Sequence, residues 1–227
     1  ITVFGKDAIK DGKTIRHDIG VVLSESSFPE NMNPVQIEHV LSSVYQTWDC
    51  AYYHELLQNF QLPKDKRIKD YSKGMRMKLN ITMALAHHPK LLILDEATSG
   101  LDPIIRDEIL DVFMDFIQDE EHSIFLSSHI TSDIEKVADY VTFIHKGEIV
   151  LSEQKDELLE SYGILKTTPE IFTALKEDEY VAYRKSSFTL DVLVKNKDMI
   201  LRKIPDAIID QASLEDIMLF TVKGERL

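Results

Sequence analysis

The sequence predicts an α/β protein. It reads as a largely parallel sheet covered by helices, with a helical subdomain in its middle and a small α+β appendage at its end. Three observations carry this. Apolar runs of strand length, KLLIL and SIFLSS, alternate with helical segments at the spacing of strand, helix, strand in a parallel sheet. Between Val35 and Phe60 apolar residues instead recur at helical spacing. Beyond about Leu158 the pattern changes to several short strand-like runs.

The elements follow in order. ITVFG and DIGVVL are two short β-rich runs separated by the turn-rich segment Lys6 to Thr14. SESSFPENMNP is a loop, dense in Ser, Pro and Asn. Ile37, Val40, Leu41 and Val44, then Leu56, Leu57 and Phe60, mark the helical stretch. After the basic run KDKRIKDYS, a helix is expected from about Lys73 to His88, with Ser72 as N-cap and Pro89 beyond its end. KLLIL is a buried strand; Asp102 and Pro103 then open a helix to about Ile117. SIFLSS is a strand, Thr131 to Ala138 a helix, and YVTFIHKGEIVLSE a hairpin turning at Lys146-Gly147. In the appendage ILKTT, EYVAYRKS, SFTLDVLVKN and DAIIDQ are strands, with helices near Pro169 to Lys176 and Ser213 to Val222. The expected division is 1–160 for the main domain, its helical subdomain about 34–88, and 161–227 for the appendage.

Composition bounds the function. The 227 residues carry a formal charge of −13, which disfavours sequence-independent nucleic-acid binding, since no excess of Lys and Arg replaces phosphate counterions. A single cysteine, Cys50, cannot form an internal disulfide, which fits a reducing compartment. No apolar run approaches the roughly 18 residues that span a bilayer.

The chemistry concentrates in LLILDEATSGLD, Leu91 to Asp102. Its strand carries Asp95 and Glu96 out at the C-terminal end, the edge at which open α/β sheets bind ligands. Asp95 suits a hydrated Mg²⁺ and Glu96 suits orienting and deprotonating a water. His129 ends the next core strand, so parallel neighbours bring it to the same edge, where an imidazole can contact a γ-phosphate. Taken singly, each has a plainer reading: the carboxylates as a cap or solvated turn, His129 as a capping or core residue. Some twenty positions earlier, Ser72, Lys73 and Gly74 open a helix whose free N–H groups and dipole favour an anion, although a plain N-cap is the common alternative.

The order of YSKGM, LLILDEATSGLDP and SSH resembles the nucleotide-binding subunit of ATP-binding cassette (ABC) transporters. The resemblance covers roughly Ile1 to Glu160, and its motifs are specific in combination rather than singly. It implies a P-loop NTPase-like ABC ATPase core that binds ATP and Mg²⁺ and hydrolyses ATP. Asp95 matches the Mg²⁺-associated aspartate, Glu96 the catalytic glutamate and His129 the switch histidine. Ser99 to Asp102 match the family's D-loop, and Ser72, Lys73, Gly74 and Met75 match the signature, which usually reads LSGGQ. IGVVLSES aligns with the family's IGYVPQ, so the Mg²⁺-ligating glutamine falls on Ser24, with Glu25 beside it; a Ser hydroxyl or Glu carboxylate would take its place. YSKGM and the SLEDIM tail resemble the exporter branch with multidrug- and bacitracin-type ATPases.

The family's partners are a transmembrane permease subunit and a second nucleotide-binding subunit, in a homodimer or heterodimer. In that arrangement Ser72 to Met75 act on the partner's nucleotide while Glu96 acts on its own, and Val35 to Ile68 form the arm that touches the membrane subunit. The implied location is cytoplasmic, peripheral on the inner face of the membrane. Two rivals stay open: a soluble ABC ATPase acting on ribosomes or DNA, and a non-hydrolysing interaction module.

One motif is missing. A phosphate loop reads G-x-x-x-x-G-K-[ST] between a strand and a helix. Only Gly12-Lys13-Thr14 ends correctly, and the partner glycine would fall on Asp7. DGKT is therefore expected to be a turn leading straight into a strand. The phosphate loop is expected to lie upstream of Ile1, leaving these residues poor at binding ATP alone.

Overall fold

The structure is a computed structural model and describes residues 1–24, 28–185 and 189–225. It forms two compact units, Ile1–Ile130 and Thr131–Leu227.

The first unit opens with a small hairpin, β1 (Thr2–Val3) and β2 (Lys6–Asp7). Its two turn residues, Phe4 and Gly5, both have positive φ, as a two-residue hairpin turn of this twist requires. DGKT departs from expectation. Gly12–Ile15 is one helical turn, α1, and it runs through a 3-10 turn, Arg16–Asp18, before β3 (Ile19–Val22) begins. The carbonyl of Asp11 accepts from the amides of Thr14 and Ile15, and the coil buries Ile15.

The helical stretch is two helices. In α2 (Pro34–Val44) the Asn33 side chain accepts from the Gln36 amide and Gln36 answers, a reciprocal cap, with Pro34 at the first position. In α3 (Cys50–Asn59) Asp49 caps through the Tyr52 amide. The break comes at Tyr45, whose extended backbone ends α2. The helix α4 (Lys73–Leu85) starts on its expected cap, Ser72, but stops short of His88, which has positive φ and precedes Pro89.

Three strands make the parallel sheet. β4 (Leu91–Asp95) lies between β3 and β5 (Ser123–Ser127), and α5 (Pro103–Phe116) connects β4 to β5. The register aligns Val22 with Leu94 and Asp95 with Ser127, so the strand ends share one edge. Leu92 and Leu94 are buried on one face, as are Ile109 and Phe113 of α5. The other face presents a row across all three strands, Val21, Ile93 and Phe125. Val21 is 53% exposed and Phe125 69%. Parallel sheets usually have both faces covered, so an open apolar row is unusual.

The second unit begins with α6 (Thr131–Val137) and the expected hairpin of β6 (Tyr140–His145) and β7 (Glu148–Gln154), turning at Lys146 and Gly147 with positive φ at both. The elements then run α7 (Lys155–Ser161), β8 (Gly163–Thr167), α8 (Pro169–Phe172), β9 (Tyr180–Lys185), β10 (Leu190–Val194), α9 (Lys197–Lys203), β11 (Ile208–Gln211) and α10 (Leu214–Lys223). The four expected strands are present as an antiparallel sheet, order β11-β8-β10-β9, which is the split β-α-β arrangement. Sequence patterning missed α7 and α9, and it drew α8 too long.

Strand alternation sorts this sheet's apolar side chains onto two faces. Leu165, Val192 and Val194 pack with Phe172 of α8 and Ile200 of α9. Ile164 and Leu193 pack with Leu214, Ile217 and Phe220 of α10, and Ile134, Val141 and Leu151 join them.

Candidate functional site

The site forms where β4 ends. Parallel pairing in register delivers Asp95 and Ser127 side by side, and the Ser127 hydroxyl donates to the Asp95 carboxylate at 2.6 Å. Ser127 also receives the next residue: the Glu96 amide bonds the Ser127 carbonyl at 3.1 Å and its hydroxyl at 3.3 Å. Two residues on, His129 Nδ1–H donates to Glu96 Oε2 at 2.6 Å. The two side chains are 66% and 33% exposed, so the pair faces solvent. One oxygen of each carboxylate is thereby held.

The backbone at Glu96 is left-handed, φ +52°, which is uncommon for a residue with a side chain. Such a conformation persists when its surroundings over-determine it, and it clusters at functional sites. Here the clamps are visible. The Glu96 amide is bound by Ser127, and its carbonyl accepts from the Ser99 amide at 3.1 Å. Ala97 and Thr98 are fully buried beneath the turn. The turn closes from the Leu101 amide to the Thr98 carbonyl, and Asp102 then caps α5 through the Ile105 amide at 3.1 Å.

The second group of expected residues lies at the start of α4. The Ser72 hydroxyl accepts from the Met75 amide at 3.2 Å, so it serves as the N-cap. Ser72 and Lys73 are exposed, and Gly74 is buried. A Cβ on Gly74 would fall 2.5 Å from Ile105 Cδ1, so glycine here lets α4 and α5 approach. A Cβ on Gly100 would fall 2.6 Å from Lys73 Nζ, which brings the lysine head over the turn after Glu96.

Asp95, Glu96 and His129 therefore converge, and Ser72 to Met75 pack beside Gly100 and Ile105. Ser24 is exposed two residues past the end of β3, on the same edge. Glu25 lies outside the described residues. Among the described residues no group of three His, Cys, Asp or Glu could hold a metal ion unaided. A carboxylate oxygen of Asp95 nevertheless suits Mg²⁺, which is commonly bound through one or two carboxylates together with substrate phosphates. No helix among the described residues is long and apolar enough to cross a membrane. Ser127, which ties Asp95 to Glu96, was not singled out from sequence. Its signal was available, since it is the residue aligned with Asp95 if the strands pair in parallel.

The chain is similar to known proteins. A family model described as ABC transporter matches residues 1–99. YtrB, an ABC transporter ATP-binding protein of Bacillus subtilis, is 23% identical over 96% of this chain and 77% of its own length. NatA, another from Bacillus subtilis, is 30% identical over 71% of this chain and 68% of its own length. The bacitracin transport ATP-binding protein BcrA of Enterococcus faecalis is 31% identical over 70% of this chain. This chain spans 52% of BcrA, about half its length. A solved ATP-binding subunit of an ABC transporter shares the fold, with TM-score 0.59 and 23% identity over 69% of this chain and 67% of that one. The chain belongs to the ATP-binding proteins of ABC transporters.

Proposed function

We propose that this chain is the hydrolytic and partner-facing part of an ATPase that energises an ABC exporter. The observation that carries the reading is the 2.6 Å contact between Glu96 and His129, beside Asp95, at the C-terminal edge of a parallel sheet. In this reading Glu96 orients a water and takes its proton as the water attacks the γ-phosphorus of ATP, releasing ADP and phosphate. His129 fixes the Glu96 carboxylate and presents its other nitrogen to the γ-phosphate. Asp95 holds Mg²⁺, which neutralises phosphate charge when bound. Ser24 or Glu25 stands where the family has a further Mg²⁺ ligand. Ser72, Lys73, Gly74 and Met75 offer phosphate contacts to the nucleotide of a second subunit, and Asp102 lies on the loop facing it.

These 227 residues contain no G-x-x-x-x-G-K-[ST]. We assign the phosphate cradle to a segment outside them. The open row of Val21, Ile93 and Phe125 supports this, because a covering helix is what such a face lacks. The ATPase part extends over 1–160, and 161–227 form a C-terminal part. The exposed Val40 and Val44, one turn apart on α2, suit contact with a permease at the cytoplasmic membrane face. BcrA, which is named for bacitracin transport, is a relative that supports a role in transport.

The test is nucleotide-driven pairing. The full-length Glu96→Gln protein is expected to elute as a dimer with MgATP and as a monomer without it. The same elution volume in both conditions would overturn the proposal.

A further inference from the structure

The start of α4 packs through two glycines against the turn after Glu96 and the first turn of α5. Ile105, in the first turn of α5, fills the space where Gly74 has no side chain. Lys73, at the first position of α4, lays its ammonium over Gly100. Gly100 has φ +66°, so glycine is favoured there by backbone conformation as well as by the lysine above it. The segment between, Glu96 to Gly100, begins and ends in left-handed backbone. Strained turns hold only when their neighbours confine them. Ser127 confines the Glu96 end, and Lys73 is the side chain over the Gly100 end.

We infer that Lys73 is a positioning residue: by packing over Gly100 it holds the Glu96–Leu101 turn and so sets the aim of the Glu96 carboxylate. This rests on the ATPase reading and assigns the Lys73 head a task within its own subunit. It also links two groups that the reading uses on different nucleotides, the start of α4 and Glu96. Displacing α4 by a partner's phosphate would be felt at Glu96 through this contact.

The experiment uses the full-length protein with Lys73→Ala and Lys73→Arg. Amide exchange is followed at Ser99 and Leu101, whose N–H groups bond the carbonyls of Glu96 and Thr98. In Lys73→Ala both amides are expected to exchange about five-fold faster, while those of β4 stay unchanged. The same variant is expected to lose about ten-fold in kcat, more than any rise in KM for ATP from its lost phosphate contact, since misplacing a reacting group costs turnover rather than affinity. Lys73→Arg is expected to restore both. Unchanged exchange in Lys73→Ala overturns the inference. So does a raised KM with unchanged kcat, which would make Lys73 a phosphate ligand only. Exchange needs no ATP, so a wild-type protein without ATPase activity would sink the ATPase reading and leave the positioning contact tested separately.

Discussion

His129 and Glu96, on neighbouring strand ends, share a hydrogen bond of 2.6 Å from Nδ1–H to Oε2. The bond fixes the imidazole tautomer, since a carboxylate only accepts. It also restrains the side chain of a residue whose backbone is already in a left-handed conformation. In the proposed reading this leaves one Glu96 carboxylate oxygen for water.

Removing the imidazole frees that carboxylate. His129→Ala in the full-length protein is expected to lower kcat for ATP hydrolysis about 10²-fold, near the lower bound for losing acid–base assistance. Steady-state phosphate release measures it. His129→Gln, which keeps a donor, is expected to lose less.

A second prediction concerns packing under the site. A Cβ on Gly20 would lie 2.6 Å from Leu92 Cδ2, 2.8 Å from the Ala84 carbonyl and 3.2 Å from Pro89 Cγ. The carbonyl belongs to α4 and cannot step aside as a side-chain tip can. Gly20→Ala is therefore expected to cost about 1–3 kcal/mol through overpacking, read as a lower urea midpoint with unchanged slope.

The third concerns pH. His87 is 2% exposed, stacks on Tyr45 at 4.1 Å and bonds the Ile19 carbonyl through Nε2 at 3.1 Å. Burial pushes its pKa below 6.5, and nearby His17 and His88 push it the same way when charged. The unfolded chain then binds a proton that the folded chain refuses. The contribution is fully present above about pH 6.5 and is lost as pH falls toward the folded value, by at most about 1.4 kcal/mol per pH unit. Urea titrations at pH 7.5 and 5.5 check it: His87→Gln should lose less stability between the two than the wild type does.

Residues 1–227 alone are expected to bind MgATP more weakly than 100 μM, about −5.5 kcal/mol, because backbone donors of a phosphate loop are missing. Calorimetric titration giving a micromolar Kd would contradict this.

Much of the core was legible in the sequence because its signals are local. KLLIL and SIFLSS carry strand patterning, Ser72 and Asp102 are caps, and the carboxylates sit at a strand end by position alone. The α+β appendage was legible as strands because apolar alternation survives in short runs. Its helices α7 and α9 were not, since seven residues give barely two turns of periodicity. DGKT reads as a turn because a phosphate loop's partner glycine falls on Asp7 and a strand-like run follows Thr14, whereas burial of Ile15 winds it into a helical turn. Ser127 at Asp95, Lys73 over Gly100 and Ile105 against Gly74 were invisible for a different reason. Each depends on two segments meeting, and spacing along one chain does not encode how closely they meet.

The central claim is that Glu96 is the base of an ATPase. The most direct test is single-turnover hydrolysis of MgATP by full-length Glu96→Gln beside the wild type. A loss of about 10²-fold or more in rate, with ATP retained on the protein, is the predicted result. Hydrolysis at the wild-type rate would contradict the account.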